Sequence, residues 1–424
     1  MSELYYDVAI IGAGPAGLAA AAAAKNEGTE KVVIIERDFR PGGILEQCIH
    51  PGFGLKYFKE ELAGPEYAHR FIEKNEELGV EMMMNTMVLS IDGKEHRIHA
   101  ANKTGAIRIK AGAIVLAMGC RERTRAQIVI PGSRPAGIYT AGTAQRFCNV
   151  QNHIVGNEIV IVGSGDIGMI MARRMTLEGA KVKAVVEVMP YLAGLTRNRV
   201  QCLDDFDIPL YLSHTIVDIK GKKRVKQVTV AEVDEHRKPI PGTEFDIDCD
   251  TILLSVGLIP ENEVSKSAGV KLDSVTKGPI VDNTMMTKVD GIFACGNVVH
   301  VNDLVDSVST ESEIAGKYAA KYAMNKHSEE IKYIPVKPGN LVRYMVPQSI
   351  EVGSVEVPVK MYFRVLAPTQ DVTIQATCGD MVLYKAKKKY VNPGEIERIQ
   401  VAPNKLNALT DGEIVVNVTR NAEA

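Results

Sequence analysis

The sequence predicts an α/β protein made of two Rossmann-like dinucleotide-binding domains, one inserted in the other, and a carboxy-terminal antiparallel β domain. Three observations carry this: a glycine-rich βαβ pattern that occurs twice at one spacing, apolar strand runs on either side of the second copy, and a final stretch of strands with no helix between them.

The first copy, Val8 to Glu36, reads VAIIGAGPAGLAAAAAAKNEGTEKVVIIE, and the second, Val160 to Glu187, reads VIVGSGDIGMIMARRMTLEGAKVKAVVE. Each is a β-branched run, a GxGxxG turn, a helix-forming stretch, a Gly, and a second β-branched run ending in Glu. Gly12 to Gly28 and Gly163 to Gly179 both span 16 positions, and Gly12 to Glu36 and Gly163 to Glu187 both span 24. GxGxxG alone is weak evidence. With a strand before it, a helix after it and an acidic residue downstream, it is a dinucleotide-binding fingerprint. Gly12 and Gly163 supply the tight turn, Gly14 and Gly165 let a pyrophosphate approach the backbone, and Gly17 and Gly168 let helix pack on strand. Helix openings at Pro15–Ala16 and Asp166–Ile167 aim free amides at the anion, and Glu36 and Glu187 are placed to accept from ribose hydroxyls.

Between the copies, β-like segments from Val88 to Ile109 lead to the buried-strand run AIVLAMG, Ala113 to Gly119; TILLSVG, Thr251 to Gly257, follows the second copy. TKVDGIFACGN (Thr287 to Asn297) reads as a strand and Gly turn, and Ser307 to Asn325 as a helix whose SVSTESE opening is rich in N-cap and acidic residues. From about Tyr333 the segments Val355–Leu366, Val372–Thr377, Met381–Tyr390, Ile396–Val401 and Glu413–Thr419 alternate with PTQ, CGD, NPGE and TDGE turns, predicting an antiparallel sandwich of about 90 residues. The expected domains are 1–150 with 276–330, 151–275, and 331–424.

Composition narrows the function classes. A chain of 424 residues suffices for roughly three domains. Its 46% hydrophobic and 24% charged residues exclude disordered and fibrous classes. A net charge of -2 provides no footprint for nucleic acid or an anionic membrane. The most apolar stretch, Leu18 to Ala24, falls short of the roughly 20 residues of a span, and MSELYYDVAIIG lacks a signal-peptide pattern; a cytoplasmic protein is expected. Seven cysteines never spaced as CxxC argue against a disulfide framework and against a metal site. Met82–Met84 and the Met169, Met171, Met175 set read as core packing, and Lys385 to Lys389 as a solvated strand face.

Taken together, the amino-terminal GxGxxG, the ATG-like turn Ala117–Met118–Gly119, the inserted second fingerprint and the motif ending Gly296–Asn297 resemble the two-dinucleotide-binding-domain flavoproteins of the pyridine nucleotide-disulfide oxidoreductase superfamily, over about residues 5 to 328. GGILEQCIHPGFG, LAMGCRERTR, TAGTAQRF and FACGNVVHVNDLVD further resemble the FAD/NAD subunits that accompany bacterial anaerobic glycerol-3-phosphate dehydrogenases and, more distantly, subunits of opine oxidase and hydrogen cyanide synthase.

The resemblance implies FAD in the split domain and NAD(P)H in the inserted one, where Glu187, whose carboxylate would meet a 2′-phosphate, and the cation-free Val188, Met189 and Pro190 after it favour NAD(H) over NADP(H). It implies FAD contacts at Gly12, Gly14, Pro15, Ala16, Gly17, Glu36, Arg37, Gly42, Gly43, Val88, Ala117, Gly119, Gly296, Asn297 and Val298, and nucleotide contacts at Gly163, Gly165, Asp166, Ile167, Gly168, Glu187 and Gly257. The helix near Ser307 would turn its positive end to the flavin. It also implies hydride transfer between NAD(H) and flavin, with a partner flavoprotein dehydrogenase that oxidises a glycerol-3-phosphate-like substrate, a small redox protein as a further partner, and a homo- or hetero-oligomer in which the β domain makes contacts. Three departures stand out. Only Cys48 occupies the loop where relatives carry a cysteine pair, and Asn297 replaces the usual Asp. Gly257–Leu258 also lacks the Arg common after that Gly. Cys48, His50 and His300 are the candidate catalytic side chains. The alternatives are a stand-alone NADH oxidase or reductase using Cys48 as a one-thiol redox centre, and a non-catalytic FAD-binding interaction subunit.

Overall fold

The computed structural model describes residues 3–326 and 332–421. The chain divides into two compact units, Met1–Cys120 with Pro260–Ala424, and Arg121–Ile259.

In the first unit, Val8–Ile11 pair in parallel with Val32–Ile35 on one side and Ala113–Leu116 on the other. Aliphatic runs buried on both faces favour parallel pairing of this kind. The sheet runs Glu81–Met83, Val32–Ile35, Glu3–Ile11, Gly105–Leu116, Arg97–Asn102, Met87–Asp92, and Ile292–Ala294 joins the far half of Gly105–Leu116. Helix Pro15–Asn26 buries an alanine stripe. Those small side chains let helix Val305–Ala323 come so near that a Cβ on Gly316 would lie 2.0 Å from Ala20 O.

The second unit holds an all-parallel sheet ordered Leu210–Leu212, Lys181–Glu187, Glu158–Val162, Thr251–Leu254, Ile138–Thr140. A three-stranded antiparallel sheet, His214–Gly221, Val225–Glu232 and Phe245–Asp248, completes it. The expected boundaries at 150/151 and 275/276 differ from this division. The short strand Ile138–Thr140 docks on the edge offered by Ile252–Leu254, and the helix after it, Ala141–Gln151, buries Ala141, Ala144 and Cys148 in the second unit's core. Residues beyond Pro260 belong to the first unit, where Ser267 Oγ accepts from Ile91 N at 2.9 Å. The expected 330/331 boundary lies outside the described residues.

The carboxy-terminal residues form two sheets around one core that includes Met361, Phe363, Ile374 and Val416. Strands Lys332–Pro338, Val342–Val346 and Ser349–Val352 add to the expected set. One pairing departs from the antiparallel expectation: Val336–Pro338 run parallel to Ile414–Val416. Met381–Val391 is an edge strand in which Lys385, Lys387 and Lys389 are exposed while Lys388 pairs with Glu397, and lysines so placed discourage pairing with another chain. Among the described residues, no helix is long and apolar enough to cross a membrane, and no group of three or more His, Cys, Asp or Glu could hold a metal ion.

Candidate functional site

The strand Glu3–Ile11 ends in a turn that only glycine can make. Gly12 has φ +105°, and a Cβ there would sit 2.6 Å from Ala117 O; a Cβ on Gly17 would sit 1.8 Å from Gly12 O. Ala117 N donates back to Ile11 O at 3.0 Å, so the AMG turn forms the floor of the first cradle. Above Gly14 no atom lies within 4 Å of a Cβ position, and no side chain caps the helix beginning at Pro15. A second glycine turn meets the first: Gly42 N donates to Ala13 O at 2.8 Å, and a Cβ on Gly43 would lie 2.9 Å from Gly14 Cα. Gly296 closes on the same helix, where its Cβ would lie 2.7 Å from Ala16 Cβ.

Buried Glu36 accepts from Ala13 N at 2.7 Å through Oε2 and from Asp38 N at 2.8 Å through Oε1. A carboxylate has about four acceptor positions, so two remain. Open space over uncapped amides, beside a buried acceptor with positions to spare, fits a dinucleotide. Arg37 is exposed beside it. Val88 is buried in the core and its strand pairs with Ala100, so its side chain is used for packing; the backbone adjoining Glu36 is Met83 to Thr86.

The second unit repeats this construction. Gly163 has φ +94° and would place a Cβ 2.1 Å from Ser255 O; on Gly168 it would meet Ser255 Cβ at 2.7 Å. Ser255 therefore does for this turn what Ala117 does for the first. Buried Glu187 takes Ser164 N and Ser164 Oγ, both at 2.8 Å, on Oε2 and Met189 N at 2.9 Å on Oε1. One acceptor position remains. Asp166 Oδ1 is turned to the following loop, accepting from Leu195 N at 2.8 Å and Asn198 Nδ2 at 2.7 Å, and Ile167 packs against the core. Gly257, φ +95°, is open apart from Arg123, whose Nε lies 4.0 Å from the Cβ position and whose N donates to Gly257 O at 3.0 Å. Ser164, Ser255 and Arg123 were not expected. The signal for Ser255 was the match of IVLAMG with ILLSVG.

Around the first cradle the polar groups are largely committed. Asn297 Oδ1 accepts from Asn302 N at 2.9 Å and its Nδ2 donates to Cys120 Sγ at 3.7 Å; Val298 is fully buried. The helix expected from Ser307 starts at Val305, and Asp306 lies in its first turn, buried, accepting from Tyr57 N at 3.0 Å. A carboxylate there offsets the positive helix end that was expected to face the flavin. His50 Nδ1 lies 3.0 Å from Pro51 O, and its ring is tilted by 38° against Phe53, with centroids 5.0 Å apart. His300 is 1% exposed, and its Nε2 lies 3.0 Å from Glu311 Oε2.

Cys48 Sγ donates to Ile44 O at 3.3 Å, and burial pushes its thiol up to about 12. A thiol so protonated is a poor nucleophile. Cys48→Ser is expected to leave the rates of flavin reduction and reoxidation unchanged in stopped-flow absorbance, and alkylation of native Cys48 at pH 8 should be slower than that of a free cysteine by on the order of a thousandfold. A large rate loss in the serine variant would restore the single-thiol reading.

The family model described as pyridine nucleotide-disulphide oxidoreductase matches residues 6–326. The chain is 28% identical over 304 residues to the thioredoxin reductase of Bacillus subtilis (strain 168), covering 70% of this chain and 87% of that protein. It is 24% identical over 346 residues to one of the opine oxidase subunits of Agrobacterium tumefaciens (strain Ach5), covering 76% of this chain and 65% of that one. The crystal structure of T. acidophilum thioredoxin reductase shares the fold, with a TM-score of 0.63 at 24% identity over 76% of this chain and 99% of that chain.

Proposed function

The chain belongs to the pyridine nucleotide-disulphide oxidoreductase family and is an FAD-dependent NAD(P)H oxidoreductase, and we propose that it exchanges a hydride between NADH and FAD as the pyridine-nucleotide component of a larger electron-transfer complex. The observation that carries the nucleotide choice is the second cradle's Glu187: it is buried, closes the turn through Ser164, and keeps one acceptor position for a ribose hydroxyl. A 2′-phosphate would meet that carboxylate. Val188, Met189 and Pro190 follow it without a cation, and Arg197 is exposed.

FAD would be held by Gly12, Gly14, Gly17, Glu36, Gly43 and Gly119 and would supply the two-electron carrier. NADH would be held by Gly163, Gly165, Gly168, Glu187 and Gly257, with Ser255 supporting the turn. The protein's own work is to present amides to phosphates, fix the ribose hydroxyls and keep water from the reacting rings. The partner role is supported by the likeness to the Agrobacterium protein, by its name one of the subunits of an oxidase. A partner flavoprotein that oxidises a small organic substrate of the glycerol-3-phosphate class is the corresponding reading, with electron direction set by the two potentials.

The test is anaerobic titration of the purified protein with NADH and, in parallel, NADPH, following the flavin absorbance. Bleaching by NADH at lower concentration than NADPH is expected. An oxidised flavin with both nucleotides would favour a non-catalytic interaction role. Glu187→Gln keeps an acceptor for Ser164 and removes the charge. It should shift the NADH-to-NADPH preference toward NADPH by about tenfold, the scale of one charge-assisted hydrogen bond; unchanged selectivity would remove Glu187 from the ribose site.

A further inference from the structure

The loop that leaves the Gly296–Val298 turn and enters the helix at Val305 is held by the carboxy-terminal β domain at several points. Arg364, on strand Val359–Val365, donates to Val301 O at 3.2 Å and pairs with Asp303, with side chains only 15% and 18% exposed. The other Asp303 oxygen accepts from Ile396 N at 2.6 Å. His300 sits against Tyr344 and Tyr362, ring centroids 6.2 and 5.6 Å away. From His300 the contact passes to Glu311, whose second oxygen accepts from Gly296 N at 2.8 Å. Asn302 N closes the loop onto Asn297 Oδ1. The β domain lies beyond the residues matched by the family model, which ends at 326.

We propose that the β domain is a built-in positioning element of the FAD site and that Arg364 is the positioning residue through which it acts, by fixing the loop that orders Gly296 to Val298. This rests on reading that turn as part of the FAD site. The physical reason is that the loop places Asp303 where little solvent reaches it, so its carboxylate needs a partner, and the cation that supplies one stands on another sheet of the same unit. Arg364 also takes Val301 O and Pro393 O, a set of planar donors that Lys could satisfy only in part.

The test uses the full-length protein with Arg364→Lys, Arg364→Met and the double variant Arg364→Met with Asp303→Asn, which leaves no unpaired charge and guards against failure to fold. The dissociation constant of FAD is measured by reconstituting deflavinated protein, and the flavin midpoint potential by dye-linked reduction. Arg364→Met and the double variant are expected to weaken FAD binding at least tenfold and to shift the potential, with Arg364→Lys restoring part of both. FAD affinity and potential equal to wild type in the double variant would overturn the proposal, even if thermal stability fell. Wild-type protein that takes up no FAD would overturn the site assignment as well.

Discussion

Gly163→Ala is expected to give a protein that keeps its yellow flavin but is no longer bleached by NADH, whereas Gly17→Ala is expected to lose the flavin. At Gly163 the backbone has φ +94° and a Cβ would penetrate to 2.1 Å from Ser255 O and 2.8 Å from Ser255 C. The turn opens only by pushing back the strand Thr251–Leu254 that supports it. At Gly17 a Cβ would meet Gly12 O at 1.8 Å and Ile10 Cγ2 at 3.3 Å, so helix Pro15–Asn26 must lift off its strand. The closest collision in each case is with backbone that cannot rotate away, and each substitution should cost on the order of 3 kcal/mol or more locally. Flavin content from visible absorbance and anaerobic NADH titration separate the two variants. Normal bleaching in Gly163→Ala would place the pyridine nucleotide elsewhere, and full flavin in Gly17→Ala would do the same for FAD.

Stability is expected to fall as pH rises through 6, by an amount that Asp282→Asn abolishes. Asp282 is 2% exposed at the joint between the first unit's loops and the β domain, bridging to Ser349. Burial raises its carboxyl to about 6 against the hydrogen bonds it accepts from the Thr284 hydroxyl at 2.6 Å and Thr284 N at 2.8 Å. An unfolded Asp titrates near 3.9, so between about pH 4 and 6 the folded chain holds a proton that the unfolded chain has released. The contribution is therefore present below pH 4 and lost above 6, amounting to roughly 2–3 kcal/mol. Asparagine keeps the accepting oxygen and does not titrate. The stability of Asp282→Asn relative to wild type, from urea melts at pH 4, 5, 6 and 7, should rise by that amount across the series. A flat difference would mean that Asp282 is charged throughout.

The turn glycines, the two glutamates and the duplicated spacing were readable from the chain alone because each answers a local demand: positive φ, an approach closer than a Cβ permits, an acceptor at the end of the next strand. Other features gave no such signal. Ile138–Thr140 is too short to announce itself as a strand, and only the open edge at Thr251–Leu254 recruits it, which is why the inserted unit begins near 121 and not at 151. Val88 lies in a core and Ile167, partly buried, packs against one, side-chain contacts that no local pattern announces. Cys48 and His300 looked chemically capable. Burial raises the pKa of the first, and Glu311 with two tyrosines encloses the second.

Sequence by itself determined that this protein has two nucleotide cradles, what their turns are made of and the order of its α/β and β parts, because backbone conformation and hydrophobic period are properties of neighbouring residues. Tertiary structure decided where the units divide, which carboxylates have acceptor positions left, and that the β domain holds the loop beyond Asn297. Those depend on groups such as Asp303 and Arg364, 61 positions apart, whose meeting is set by how sheets pack and by the need of a largely buried charge for a partner.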